Sequence, residues 1–261
     1  MTAMHHLTTP DGIRLAYADT GGTGRPLLAL HGAFGRGRPF LSLADRLGPD
    51  WRIVAPDQRG HGRSDRAADY GREAFLADTA TLVERLDLAP CVLVGHSLGG
   101  LNAFQLAARR PDLVRAFVVV DMAAELPPHD SDWLDGLPET YGSLDALRTE
   151  IEARVSLGEP LHFLEGAVET DQGWRLRWHP DDMREVKRQV FGEHWADWYA
   201  SDQPALVLRG GASPIVPDDI ARRMLDRPNT RLATIDDGTH DFYLTHRTRF
   251  HDAVAEFLTT L

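Results

Sequence analysis

The chain has 261 residues, 43% of them hydrophobic and 26% charged, enough for one domain with an insertion and a sizeable core, and far from disordered or collagen-like composition. Its net charge of −11 lacks the basic footprint that counterion-release binding to nucleic acid needs, and no stretch approaches the roughly 18 apolar residues of a membrane span. Met1 to Pro10 shows no basic-then-apolar signal order and the single cysteine, Cys91, permits no internal disulfide, so the expectation is a cytoplasmic protein with a small-molecule partner, its oligomeric state open.

Short apolar runs alternate with amphipathic stretches, the pattern of an α/β fold with a mostly parallel sheet covered by helices on both faces. Ile13, Leu15 and Tyr17 alternate as an opening strand. Leu27 to Leu30, Ile53 to Ala55, Val92 to Val94 and Phe117 to Val120 are continuous apolar runs, as strands buried on both faces require. Leu76, Thr79, Ala80, Val83 and Leu86 share one helix face, and Leu101, Phe104, Leu106, Ala107 and Ala108 mark another. After Asp121 the rhythm breaks. Residues 122 to 198 hold Pro127, Pro128, Pro138, Pro160 and Pro180 with two helix-like stretches, Leu144 to Leu157 and Asp182 to Phe191, and read as an inserted, mainly helical lid. Alternation resumes with a strand at Ala205 to Leu208, a helix at Asp218 to Leu225, a strand at Leu232 to Ile235 and a closing helix at Phe250 to Leu258. The core then comprises residues 1–121 and 199–261.

The strongest local signal is Gly95-His96-Ser97-Leu98-Gly99-Gly100, directly after an apolar run and directly before a helical stretch. In such a strand–turn–helix a serine is held in a strained backbone conformation with its hydroxyl exposed, and the small glycines let strand and helix approach. The free N–H groups of the following helix point at any oxyanion formed there.

Through this motif the chain resembles the α/β-hydrolase superfamily, and the resemblance extends over nearly its whole length. It implies an α/β-hydrolase fold with Ser97 as nucleophile. His31-Gly32-Ala33-Phe34-Gly35 stands where the family places its oxyanion loop, so the backbone N–H groups of Ala33 and Leu98 would bind the oxyanion. Asp57-Gln58-Arg59-Gly60-His61-Gly62-Arg63-Ser64 looks like a family turn that is structural in most members. Gly238-Thr239-His240-Asp241 falls late, where the family keeps its catalytic histidine, which makes His240 the general base.

The acid departs from the family pattern. Ser213, in Gly210-Gly211-Ala212-Ser213-Pro214-Ile215-Val216-Pro217, occupies the usual aspartate position and cannot supply the charge that stabilises an imidazolium. Some members of the fold carry the acid after the strand preceding the lid, and Asp121 stands there; Asp121 is the expected acid. Asp218, able to cap a helix, and Asp241, expected to point away from the His240 ring, are the alternatives.

Of the twelve histidines, His31 and His96 read as packing or hydrogen-bonding members of motifs, and His5, His6, His129, His162, His179, His194, His246 and His251 have no chemical context. No metal-ligand spacing occurs and neither a metal nor a cofactor is implied. Five of the six tryptophans, Trp133, Trp174, Trp178, Trp195 and Trp198, fall between 122 and 198. Some must anchor the lid. Together they suggest an aromatic pocket over Ser97, lined by Trp133, Trp174 and Trp178 with Phe34, Met122 and Phe242.

These residues point to a serine-dependent hydrolase of carboxylic esters or lactones. Carbon–carbon bond hydrolysis and cofactor-free haloperoxidase or perhydrolase chemistry are the alternatives within the fold, and a non-catalytic ligand-binding or tailoring protein is the alternative outside enzymology. A serine nucleophile argues against epoxide-hydrolase and haloalkane-dehalogenase chemistry. Residues 122–198 carry 17 acidic and 7 basic residues, a net of −10, which leaves −1 for the rest. An acidic lid favours neutral over polyanionic substrates, within the roughly 8 Å reach of charge at physiological salt.

Overall fold

The apolar runs become the middle of one eight-stranded sheet in a computed structural model that describes residues 3–128, 132–155 and 159–261. In chain order the strands are β1 (Met4–Thr8), β2 (Arg14–Asp19), β3 (Arg25–Leu30), β4 (Trp51–Pro56), β5 (Cys91–His96), β6 (Val114–Val120), β7 (Glu125–Leu126), β8 (Ala167–Thr170), β9 (Gly173–Leu176), β10 (Gly192–Glu193), β11 (Ala205–Gly210) and β12 (Thr230–Ile235). The large sheet runs β1-β2-β4-β3-β5-β6-β11-β12. Its first two pairings are antiparallel and the rest parallel. The edge strand β1 lies outside the sequence reading: its residues are half-buried or exposed, so it carries no apolar run.

The α-helices are α1 (Leu43–Leu47), α2 (Arg72–Arg85), α3 (Leu98–Arg109), α4 (Leu144–Arg154), α5 (Pro160–Leu164), α6 (Pro180–Val190), α7 (Trp195–Tyr199), α8 (Asp218–Met224), α9 (Phe242–Thr245) and α10 (Arg247–Leu258). Successive strand residues face opposite sides, so each continuous apolar run feeds two cores. Leu28, Leu93, Phe117 and Val119 pack with Phe75 of α2 and Phe104 of α3 on one face. Leu27, Val92, Val94 and Val118 pack with Leu43 of α1 and Phe250 and Val254 of α10 on the other.

Among the described residues between β6 and β11 no strand joins the large sheet; β7 pairs with β10 and β8 with β9. The predicted helical stretches of this segment appear as α4 and α6. The last two residues of the first stretch, Ser156 and Leu157, lie outside the described residues, as does His129. Four core arginines reach segment carboxylates: Arg36 to Glu165 at 2.8 Å, Arg66 to Asp182 at 2.6 Å, and Arg109 to Asp197 and Arg223 to Glu125 at 3.4 Å each. Part of the segment's negative charge is thus paired with the core rather than left free at the surface.

The strand order turns back on itself at β4-β3-β5. Such a reversal opens a crevice at the carboxyl ends of the strands, and here the loops after β3 and β5 enter it.

Candidate active site

Ser97 stands between β5 and α3 with φ 49° and ψ −116°, outside the regions a side chain favours. Glycines make the turn possible. A Cβ at Gly95 would come within 2.1 Å of the Gly99 carbonyl oxygen, and one at Gly99 within 2.2 Å of the Leu30 carbonyl oxygen. Leu98 opens α3, so its N–H has no partner one turn back in the helix.

Asp121 directly follows β6 with φ 47° and is fully buried. Parallel pairing of β6 with β11 brings Gly210 beside it. Asp121 Oδ1 accepts the Gly210 N–H at 2.9 Å; Oδ2 accepts the Ser213 hydroxyl at 2.5 Å and faces His240 Nδ1 at 2.7 Å. Ser213, which stands where the sequence resemblance expects an aspartate, is therefore a hydrogen-bond donor to Asp121. Facing a carboxylate, Nδ1 of His240 carries the proton, which leaves Nε2 as the basic atom. Burial disfavours the charged ring, but the hydrogen bond and charge of Asp121, with that of Asp241, outweigh it, and the His240 pKa is raised above 6.5.

The loop after β3 holds the predicted oxyanion donor Ala33. His31 Nδ1 donates to the Gly32 carbonyl at 2.7 Å and its Nε2 accepts the Gln58 N–H at 2.8 Å. Burial pushes the His31 and His61 pKa values down to about 3, so both rings are neutral packing elements. The Asp57 turn has the structural role expected of it: Asp57 accepts the Gly37 and Arg63 N–H groups at 2.9 Å each, and Arg59 makes two 2.7 Å bonds to Asp78.

A cavity of about 500 Å³ reaches Ser97, His240 and Ala33. Of the predicted wall residues it is lined by Phe34 and Trp133, together with Phe163, Val190, Phe191 and Ile215. The remaining four predicted residues stand elsewhere. Met122 is fully buried, with its Cβ 3.1 Å from where a Cβ on Gly100 would sit. Phe242 is fully buried against Phe250. Trp174 pairs with Tyr141 through two 2.7 Å backbone bonds in the β8–β9 hairpin. Trp178 packs edge-on to Phe34 at 5.0 Å and lines a separate cavity of about 820 Å³ that includes neither Ser97 nor His240. Trp198 and Trp195 are anchors: Trp198 lies between Phe104 and Phe117 and donates to the Met224 carbonyl at 3.1 Å, while Trp195 donates to Glu125 at 2.7 Å beneath the Arg223 guanidinium.

Two residues at the site were missed or misjudged from sequence. His162 lines the cavity and contacts Ala33, Tyr243 and Asp241. Asp241, expected to point away, lines the same cavity, and its charge acts on His240. A histidine inside an irregular segment carries no periodic signal, so neither contact was visible. Among the described residues, His96, His240 and Asp241 bring possible metal-ligating atoms within 4.8 Å of one another. One nitrogen of each ring is already engaged, His96 Nε2 with the His240 carbonyl at 2.9 Å and His240 Nδ1 with Asp121. The described helices include none long and apolar enough to cross a membrane.

The chain matches the family model described as alpha/beta hydrolase fold over residues 25–247. It is 35% identical over 229 residues to the 2-(acetamidomethylene)succinate hydrolase of Mesorhizobium japonicum, which covers 84% of this chain and 82% of that one. A 45% match to the sn-1-specific diacylglycerol lipase ABHD11 of Mus musculus extends over 101 residues, 37% of this chain and 32% of the lipase; the chain thus spans about a third of that relative's length. The solved structure of E-2-(acetamidomethylene)succinate hydrolase superposes with a TM-score of 0.83 at 24% identity, over 99% of this chain and 100% of that chain.

Proposed function

The chain belongs to the alpha/beta hydrolase fold family, and on that premise we propose that it is a serine-dependent hydrolase of carboxylic esters or lactones. The observation that carries this reading is the 2.7 Å contact of His240 Nδ1 with the buried Asp121 Oδ2, beside a cavity shared with a serine on a left-handed turn.

Ser97 Oγ attacks the substrate carbonyl carbon while His240 Nε2 takes the hydroxyl proton. The carbonyl π electrons move to oxygen, and the oxyanion accepts the N–H groups of Ala33 and Leu98. Collapse breaks the bond to the leaving alkoxide, which receives the proton from His240. Water then repeats the sequence on the acyl-enzyme and releases the acid. Asp121 holds the ring in the tautomer that leaves Nε2 basic and stabilises the transient imidazolium.

Residues 122–198 act as a lid in this reading. Phe34 at its inner face makes tilted ring contacts with Trp133 and Phe163 at 5.2 and 5.3 Å, and the apolar lining suits a neutral substrate with an apolar or aromatic acyl or leaving group. p-Nitrophenyl esters from acetate to octanoate and a panel of aromatic lactones test the class. Ser97→Ala is expected to lower kcat about 10⁴-fold or more and to abolish labelling by a fluorophosphonate. Absence of both labelling and turnover across the panel would replace this reading with a ligand-binding one.

A further inference from the structure

His162 reaches further into the site than its place in an irregular segment suggests. It stands on α5, a helix of five residues, and is 4% exposed. Its Nε2 lies 2.7 Å from the Ala33 carbonyl oxygen, a pure acceptor, so Nε2–H donates. Nδ1 is then the acceptor of the Tyr243 hydroxyl at 3.0 Å. Asp241 Oδ2 accepts the N–H of Glu159, the residue preceding α5, at 2.7 Å, and Thr239 Oγ1 donates to Glu159 Oε1 at 2.9 Å. One short helix is therefore tied to the oxyanion loop and to both chain neighbours of His240.

The local backbone gives these ties a purpose. The Ala33 carbonyl belongs to the peptide that joins Ala33 to Phe34, and Phe34 has φ 69°. A bulky residue in the left-handed region persists only where its surroundings hold it there. The N–H of Ala33, one peptide upstream, is the oxyanion donor of the reading above. Gly35 makes room for the clamp: a Cβ there would come within 2.8 Å of His162 Cε1.

We propose that His162 is a positioning residue of the hydrolase, which holds the oxyanion loop from the lid side while the Tyr243 hydroxyl holds His162 and Asp241 anchors the start of its helix through Glu159. Lid docking and assembly of the oxyanion hole are then a single event. The proposal rests on the assignment of Ser97 and the Ala33 N–H made under the proposed function.

The test compares wild type, His162→Leu, His162→Gln and Leu161→Ala, the last on the exposed side of the same helix. With p-nitrophenyl butyrate, His162→Leu is expected to lower kcat about 10- to 100-fold, part of the roughly 10²–10³ that follows removal of an oxyanion donor, with KM changed less than about twofold. Phenylboronic acid, which forms a tetrahedral adduct on a serine, should lose affinity by the same factor. His162→Gln keeps an N–H that can meet the Ala33 carbonyl and should recover most of the loss, and Leu161→Ala should match wild type. Amide exchange at residues 32–36 should accelerate in His162→Leu at unchanged urea midpoint. The proposal is overturned if His162→Leu keeps kcat within about twofold and exchange at 32–36 is unaltered, or if all losses track the urea midpoint and glutamine rescues nothing. Wild type that neither turns over the ester nor binds the boronate refutes the hydrolase reading instead, and the exchange measurement still decides whether His162 holds the loop.

Discussion

Asp121 Oδ2 is shared between two donors, the Ser213 hydroxyl and the His240 ring. That sharing sets a pH prediction. Activity requires neutral His240, and its pKa is raised, so kcat/KM should fall as pH drops through a midpoint above 6.5. The stability contributed by the pair has the opposite sense: it is fully present below 6.5 and lost as pH rises through the raised value. Ser213→Ala removes a competing donor, leaves more of the carboxylate charge to His240, and should move the acid limb of the rate profile upward. Asp121→Asn removes that charge and should lower kcat about 10⁴-fold while the circular dichroism spectrum stays unchanged. Retained activity in Asp121→Asn, or an acid limb that moves down in Ser213→Ala, contradicts this account. Phe34, Ser97 and Asp121 all have positive φ, so the site gathers backbone strain of roughly 1–3 kcal/mol per residue at the ends of three adjacent strands.

The β5–α3 turn is the element on which the site depends, and its glycines are required by space. A methyl at Gly99 would meet the backbone of β3 at Leu30, which cannot move without shifting the strand beside the oxyanion loop. Gly99→Ala should therefore cost about 3 kcal/mol or more, at the upper end of overpacking penalties. A Cβ at Gly142 would meet nothing within 4 Å, and Gly142→Ala should stay within about 0.5 kcal/mol of wild type. Urea midpoints of the two variants check the difference; equal midpoints would show that the turn has slack. At this scale the sequence was readable, because a run such as Val92 to Val94 and the glycines that follow are local signals of a strand and a tight turn. The aromatic wall was not. Trp133 and Trp174 have the same composition and setting in sequence, yet one lines the cavity and the other closes a hairpin onto Tyr141, since which side of an irregular segment faces inward depends on its docking.

For the molecule as a whole, buried neutral histidines set the acid limit of stability. Burial lowers the pKa of His31 and His61 to about 3 and that of His96 well below its usual value. Below 6.5 the unfolded chain takes up protons at these positions and the folded chain does not, so stability falls with falling pH. Three such groups imply a slope of about 4 kcal/mol per pH unit between pH 6 and 5. Urea unfolding at pH 7.5, 6.5 and 5.5 measures it, and a flat profile would mean that the three rings are charged or solvated in the folded protein. The charge of the 122–198 segment has two destinations. Glu125, Glu165, Asp182 and Asp197 meet core arginines, while Asp135, Glu150, Glu152, Asp181 and Glu185 pair with arginines of the segment itself.

The amino-acid sequence by itself determined the parallel sheet, the interruption after Asp121 and the Ser97 turn, because each is written in a period or a glycine pattern, and its resemblance to the α/β hydrolases supplied His240 and Asp121 as candidates. Tertiary structure decided which residues meet. It joined Ser213 to Asp121 across 92 positions and His162 to Ala33 across 129, and it turned Met122, Trp174, Trp178 and Phe242 away from the cavity. The reason is physical: strand and turn formation answer to neighbours a few residues apart, whereas a side-chain contact is fixed by how separate elements pack, and no local pattern records that.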